Sequence, residues 1–263
     1  MFDDLTPIVV ALPIEADIKI YAIGDMHYGS PQFMEQEWKA FTKRFEREKN
    51  SYIVLVGDLI DNGLKSSKTC VYEETCRPSE QKEWLIRQLS PFKERILCGV
   101  PGNHEARSKK ESDNSPLYDV FARLGIEDRY RENMAFLFLR IGNGDQTISG
   151  HKRYTYVVCV THGAGGGPYV SSGGAKLENF GGAIDGADVI ITGHTHKPMA
   201  YPVGKIKVDT SNKKITQTKF WVVRATSWMS YGGYAAQKML YPATFCLSEI
   251  RMSARKKDIR VTQ

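Results

Sequence analysis

The stretch that decides the fold is "DIKIYAIGDMHYGSPQFMEQEWKAFTKRFEREKNSYIVLV", residues 17–56. It opens with the apolar, β-branched run DIKIYAI (17–23) and closes with SYIVLV (51–56), and both read as strands. Between them Met34, Trp38, Phe41 and Phe45 recur at steps of four, three and four, so one face of an intervening helix is apolar. Strand, helix, strand in that order implies an α/β layered fold. Further along, RILCGV (95–100), YTYVVCV (154–160), DVIIT (188–192) and KFWVVRAT (219–226) repeat the strand signature. Several of these runs are apolar nearly throughout, as expected for strands covered on both faces. SEQKEWLIRQLSPFKE (79–94) reads as a second helix, opened by Ser79 ahead of Glu80 and Glu83. Antiparallel strands are expected near the C-terminus. No repeat, linker or low-complexity block interrupts the pattern, so residues 1–263 read as a single domain.

Composition narrows the class. The chain is 41% hydrophobic, enough for one large core, yet no apolar run approaches a bilayer-spanning length. MFDDLTPIVV opens with two aspartates and lacks the basic start and long apolar stretch of a secretory signal, which points to a cytoplasmic protein without a membrane partner. The cysteines are Cys70, Cys76, Cys98, Cys159 and Cys246, an odd number with three inside apolar runs, which favours reduced, packed thiols. Cys70 and Cys76 in TCVYEETCRP are the only two near enough in sequence to suggest a pair or a metal clip. The net charge of +6 draws much of its excess from RMSARKKDIRVTQ (251–263). That stretch reads as a short basic tail, a solvated helix or frayed end, with a phosphate contact as the alternative.

Chemistry gathers where the strands stop. Ile23 is followed by GDMHYG, Val56 by GDLIDNG, Val100 by PGNHE, Val160 by THGAGGG and Ile191 by TGHTH. In open α/β sheets the crevice at the carboxyl ends of the strands is where sites are built. Of the six histidines, only His151 lies outside these turns. The convergent donors are Asp25, His27, Asp58, Asn103, His162, His194 and His196. Oxygen and imidazole without thiolate suit Mn, Fe, Zn or Ni better than Ca or Mg alone. Seven donors are too many for one transition ion but divide between two, as in hydrolases whose paired ions sit ~3.5–4 Å apart.

In order, the motifs are Gly24-Asp25-Met26-His27, Gly57-Asp58-Leu59-Ile60-Asp61, Gly102-Asn103-His104-Glu105, Thr161-His162-Gly163 and Gly193-His194-Thr195-His196. This series resembles the calcineurin-like metallophosphoesterase superfamily. The resemblance implies a four-layer α/β/β/α sandwich with mixed β-sheets and a dimetal centre at one edge of the sheets. It implies that Asp25, His27 and His196 hold one divalent ion, that Asn103, His162 and His194 hold a second, and that Asp58 bridges them. By the same resemblance His104 faces the substrate and serves the leaving oxygen, with Asp61 as its orienting partner. The implied reaction is in-line attack of a bridging hydroxide on a phosphodiester, carried by a nucleotide, cyclic nucleotide or nucleic acid, with two Mn ions favoured.

A phosphomonoesterase or protein phosphatase is the alternative, and a non-catalytic scaffold the remote one. Asn62 stands where the protein phosphatases of the superfamily carry an Arg, and Gly-His-x-His is the diesterase style of ending. The stretch after His196 is expected to finish the sheet rather than form a DNA-capping domain. The full donor set argues against a scaffold.

Some segments stay open to two readings. THGAGGGPYVSSGGAKLENFGG carries a Gly-rich loop at 163–182, readable as a lid with Tyr169, Ser171, Ser172 and Lys176 available to a phosphate or base, or as a plain surface loop. In TSWMSYGGYAAQKMLYP, Trp228, Tyr231 and Tyr234 either pack on the sheet, the favoured reading, or line the substrate cleft. Arg107 reads either as a holder of a non-bridging phosphate oxygen or as an ordinary exposed Arg after a turn. Glu105 is read as a supporting group that steadies its turn.

Overall fold

Side chains leave successive positions of a strand on opposite faces, and here each face has been given its own core. The computed structural model describes residues 3–65, 67, 71–143, 153–165 and 170–263, with the backbone alone for 170–172. Its strands in chain order are β1 (Ile8–Leu12), β2 (Ile18–Ile23), β3 (Ser51–Leu55), β4 (Ile96–Gly99), β5 (Met134–Ile141) and β6 (Tyr154–Thr161). They continue as β7 (Val189–Thr192), β8 (Met199–Asp209), β9 (Lys214–Arg224), β10 (Glu249–Met252) and β11 (Ile259–Thr262). The helices are α1 (Glu35–Arg47), α2 (Pro78–Leu89), α3 (Asn103–Ser112), α4 (Pro116–Leu124), α5 (Val170–Ala183) and the short α6 (Gly233–Gln237).

Two mixed sheets result, one ordered β1-β5-β6-β7-β9-β8 and the other β11-β10-β2-β3-β4. In the second, β2, β3 and β4 run parallel while β10 and β11 run antiparallel. Ile18, Ile20, Ala22, Val54 and Val56 point inward and meet Leu137, Val158, Val189, Ile191 and Val223 of the first sheet in the central core. Their sequence neighbours Tyr21, Ile23, Ile53 and Leu55 point outward against Trp38, Phe41 and Phe45 of α1, Leu85 and Leu89 of α2 and Phe121 of α4. On the far side Cys159, Ile190, Phe220 and Val222 pack under Leu177 of α5. The layers are therefore helix, sheet, sheet, helix, as in the calcineurin-like phosphoesterase fold.

Three segments differ from their sequence reading. The Gly-rich stretch 163–182 is largely the helix α5 rather than an open loop. Leu177, Phe180 and Ile184 form its apolar stripe, and Gly181 lets it approach the sheet: a Cβ there would come 2.3 Å from the Phe220 ring. The basic tail is neither a helix nor a frayed end but the hairpin β10–β11, which pairs with β2. Ile250, Met252 and Ile259 sink into the central core, while Lys257 pairs with Asp188 at 2.9 Å and Arg251 with Glu249 at 2.8 Å. α2 starts at Pro78, ahead of Ser79, with the Glu80 carboxylate accepting from the Arg77 N–H at 2.8 Å. Cys70, His151 and Tyr169 lie outside the described residues, as do the side chains of Ser171 and Ser172. Among the described residues no helix is long and apolar enough to cross a membrane.

Candidate metal centre

Every predicted donor follows the carboxyl end of β2, β3, β4, β6 or β7, Asn103 as the first residue of α3 and the others in the connections leaving the strands. The turns are sharp enough that Asp25, His27, Asp58, His194 and His196 all have positive φ, between 47° and 72°. The left-handed region costs a non-glycine residue roughly 1–2 kcal/mol, and such strain survives only where the surroundings impose it. Here backbone bonds between turns impose it: Asp25 N–H donates to the Gly57 carbonyl at 3.0 Å and His27 N–H to the Asp58 carbonyl at 3.0 Å. Gly57 and Gly102 make the crossing possible, since a Cβ on Gly57 would lie 2.2 Å from the Gly102 nitrogen.

The donors form three overlapping groups: Asp25, His27 and His196; His27, Asp58 and His104; and Asp58, His162 and His194. Within each group the candidate ligand atoms lie within 4.8 Å of one another. The sequence-predicted pairing is thus brought together. Asp58 Oδ2 lies 3.8 Å from His27 Nε2 and 3.2 Å from His162 Nε2, between the two halves. Asn103 Oδ1 completes the second half, 2.8 Å from His194 Nδ1 and 3.2 Å from His162 Nε2.

The chemistry of this donor set fits cations. His162 Nδ1–H donates to the Val56 carbonyl at 2.7 Å, which turns Nε2 toward the Asp58 and Asn103 oxygens. His27 Nδ1–H donates to Asp61 Oδ1 at 3.1 Å, which turns its Nε2 toward His196 Nε2 at 3.1 Å. Oxygens and ring nitrogens gathered this closely need positive charge between them, a proton or a cation. Asp25 is fully buried and its Oδ2 makes no hydrogen bond, an orphan that a cation would satisfy. Burial, joined by the Asp58 charge, pushes Asp25 up to about 7 against the pull of His162 and His27. Burial resists charge on His162 too, but the Asp58 hydrogen bond and charge push it up to about 10. His196 goes the other way, down to about 3 through burial and the nearby His27, which keeps it neutral, the form a metal ligand needs.

His104 belongs geometrically to one donor group, yet both of its ring nitrogens have other partners. Nδ1–H donates to the Asp61 carbonyl at 2.7 Å with the Asp61 carboxylate 3.2 Å away, and Nε2 accepts from Arg107 at 2.8 Å. Asp61 therefore touches two histidines, His27 as well as its expected partner His104, a double contact that sequence spacing did not reveal. Its carboxyl is buried, but the hydrogen bonds of His104 and His27 hold it below the usual carboxylate range. Asn62 is a buried brace, donating to the His104 carbonyl at 2.6 Å and to Ser108 Oγ at 2.9 Å. Glu105 does more than steady its own turn. It accepts from the backbone N–H of Asp58, Leu59, Ile60 and Gly102 at 2.9, 2.7, 3.3 and 2.8 Å, tying two motifs together.

Above the donors opens a cleft of about 660 Å³. His27, Asp58, Asn103, His104, His194 and His196 line its floor, with Glu73 and Glu74 on its walls. Trp228 is fully buried against Trp38, Phe41 and Phe245, as the packing reading had it. Tyr231 and Tyr234 instead line the cleft, together with Tyr241. Tyr241 was missed, although it stands in the same aromatic stretch. Lys176 is exposed and donates to the Ala164 carbonyl at 3.1 Å.

Comparison with known proteins agrees with this architecture. The sequence model described as "Calcineurin-like phosphoesterase" matches residues 18–198, which include every candidate donor. The DNA polymerase II small subunit of Archaeoglobus fulgidus is 28% identical over 119 residues, 39% of this chain and 23% of that protein. The match thus spans less than a quarter of that relative's length. Among solved structures, calcineurin-like phosphoesterase YfkN from Bacillus subtilis is 14% identical with a TM-score of 0.38, over 95% of this chain and 90% of that one. GAP50, the anchor in the inner membrane complex of Plasmodium, is 12% identical with a TM-score of 0.42, over 94% of this chain and 88% of that one. Both structural likenesses are weak.

Proposed function

The chain belongs to the calcineurin-like phosphoesterase family, and on that premise we propose that it is a dimetal-dependent phosphodiesterase acting on a nucleotide-like ester, with Mn as the favoured metal. The observation that carries the reading is Asp58, whose Oδ2 stands between His27 and His162 and so links the two donor halves. Asp25, His27 and His196 would hold one ion, Asn103, His162 and His194 the other, and Asp58 both. Bound there, two divalent cations supply a nucleophile at neutral pH and neutralise charge on the phosphoryl group.

The remaining work falls to the chain. Asp61 fixes His104 through Nδ1, so Nε2 is the atom presented to the leaving oxygen. Arg107, which donates to that atom, would turn to a non-bridging phosphate oxygen as substrate enters. Asp61 also holds His27 in the tautomer that keeps Nε2 free to bind metal. The buried thiols Cys98 and Cys159 support a reducing, cytoplasmic setting.

A phosphomonoesterase would use the same donors, and the assay must separate the two. The metal-stripped protein should not hydrolyse bis-p-nitrophenyl phosphate, and Mn should restore turnover above that of mono-p-nitrophenyl phosphate. Turnover persisting in chelator would refute the dimetal reading, and a preference for the monoester would refute the diesterase reading.

A further inference from the structure

Three tyrosines stand over the metal centre on one short segment. Tyr231, Tyr234 and Tyr241 are 51%, 45% and 68% exposed, and all line the same cleft as the donors. Exposed rings gathered on one cleft, rather than scattered singly, mark a binding surface. The segment that carries them is firmly rooted. Trp228 N–H and Ser227 Oγ both donate to the Asp25 carbonyl, at 3.0 and 3.2 Å, and Ser230 N–H donates to the Gln32 carbonyl at 2.8 Å. Gly233, at a φ of 49°, folds the chain back where a Cβ would stand 2.9 Å from Gln32 Oε1. Tyr231 and Tyr234 thus follow directly on a stretch bonded to a metal-centre residue, and Tyr241 lies a few residues past α6.

We infer that this wall is a base-binding subsite: the esterified alcohol of the substrate is a nucleoside, its base stacked on the tyrosines while its phosphate sits on the metal centre. The inference rests on the phosphodiesterase reading and names its substrate class. A cleft of about 660 Å³ is far larger than a phosphate needs and falls within the size range of small-molecule sites. Flat π faces suit a base, and the Gln32, Ser230 and Gln237 side chains beside them can pair with base edges.

The test uses the Mn-loaded full chain and two probes, thymidine 5′-monophosphate and ribose 5-phosphate, with binding read by calorimetry. The nucleotide should bind roughly tenfold or more tightly than the sugar phosphate, in line with stacking on aromatic side chains. Replacing all three tyrosines by Ala should remove most of that advantage, and replacing them by Phe should keep it, since Phe preserves the ring. In parallel, the KM for thymidine 5′-(p-nitrophenyl) phosphate should rise in the Ala variant far more than the KM for methyl p-nitrophenyl phosphate. Equal binding of the two probes by wild type, or equal weakening of both in the Ala variant, would overturn the base subsite. Tyrosine-dependent nucleotide binding without turnover of either ester would overturn the phosphodiesterase reading while supporting the subsite.

Discussion

Replacing Glu105 by Gln probes the joint that holds the site together. Its two carboxylate oxygens accept from four backbone N–H groups, those of Asp58, Leu59, Ile60 and Gly102, and the side chain is 2% exposed. Glutamine keeps the shape but offers one acceptor oxygen and turns an NH₂ toward the other pair of donors. Two buried N–H groups then lose their acceptor, at about 1–3 kcal/mol each, so the variant should lose about 2–6 kcal/mol. For a chain of this size each kcal/mol moves Tm by about 2–4 °C, which predicts a fall of roughly 4–24 °C by calorimetry. The damage should also reach the metal centre, because the Gly57–Asp58 turn is what Glu105 anchors. Metal retained through gel filtration should fall with Tm, whereas Glu111→Gln, at an exposed position on the same helix, should change neither. A Glu105→Gln protein with wild-type Tm and wild-type metal content would refute the reasoning.

Other outcomes follow from the same geometry. His104→Ala should lower kcat on bis-p-nitrophenyl phosphate by about 10²–10⁴, the usual range for loss of a general acid, with metal content unchanged; undiminished activity would remove His104 from its role. Asp61→Asn should weaken metal retention by about 10–100-fold through His27, beyond any effect on His104, because it removes the carboxylate that orients a ligand. Burial pushes the Cys98 and Cys159 thiols up to about 12. Iodoacetamide at roughly pH 8, near the ionisation of a free thiol, should therefore spare both in the native protein while labelling the half-buried Cys246. Labelling of Cys98 before unfolding would contradict the packed core.

Most of the site was legible because each donor directly follows an apolar strand, so motif and fold announce one another. The two strongest early signals, the runs at 17–23 and 51–56, became β2 and β3 within a residue. Elsewhere local pattern was a poorer guide. β8 was missed because Pro202 and Gly204 break its run, and its exposed outer half is held by its pairing with β9. The glycines of 163–182 looked like flexibility, yet in α5 they allow a helix to lie close on a sheet, which only the tertiary partner Phe220 explains. Glu105 seemed minor because three of its four acceptor bonds reach into a motif some 45 positions away in sequence. Trp228 and Tyr231 were equivalent as letters, and only the tertiary contacts of Trp228 with Trp38, Phe41 and Phe245 separate core from cleft.

The central claim is two cations bridged by Asp58, and anomalous diffraction from Mn-soaked crystals tests it directly. Two peaks roughly 4 Å apart, the spacing of two-metal sites, should appear with Asp58 between them, one beside Asp25, His27 and His196 and the other beside Asn103, His162 and His194. A single peak, or a peak held by His104 in place of the Asp58 bridge, would contradict the account.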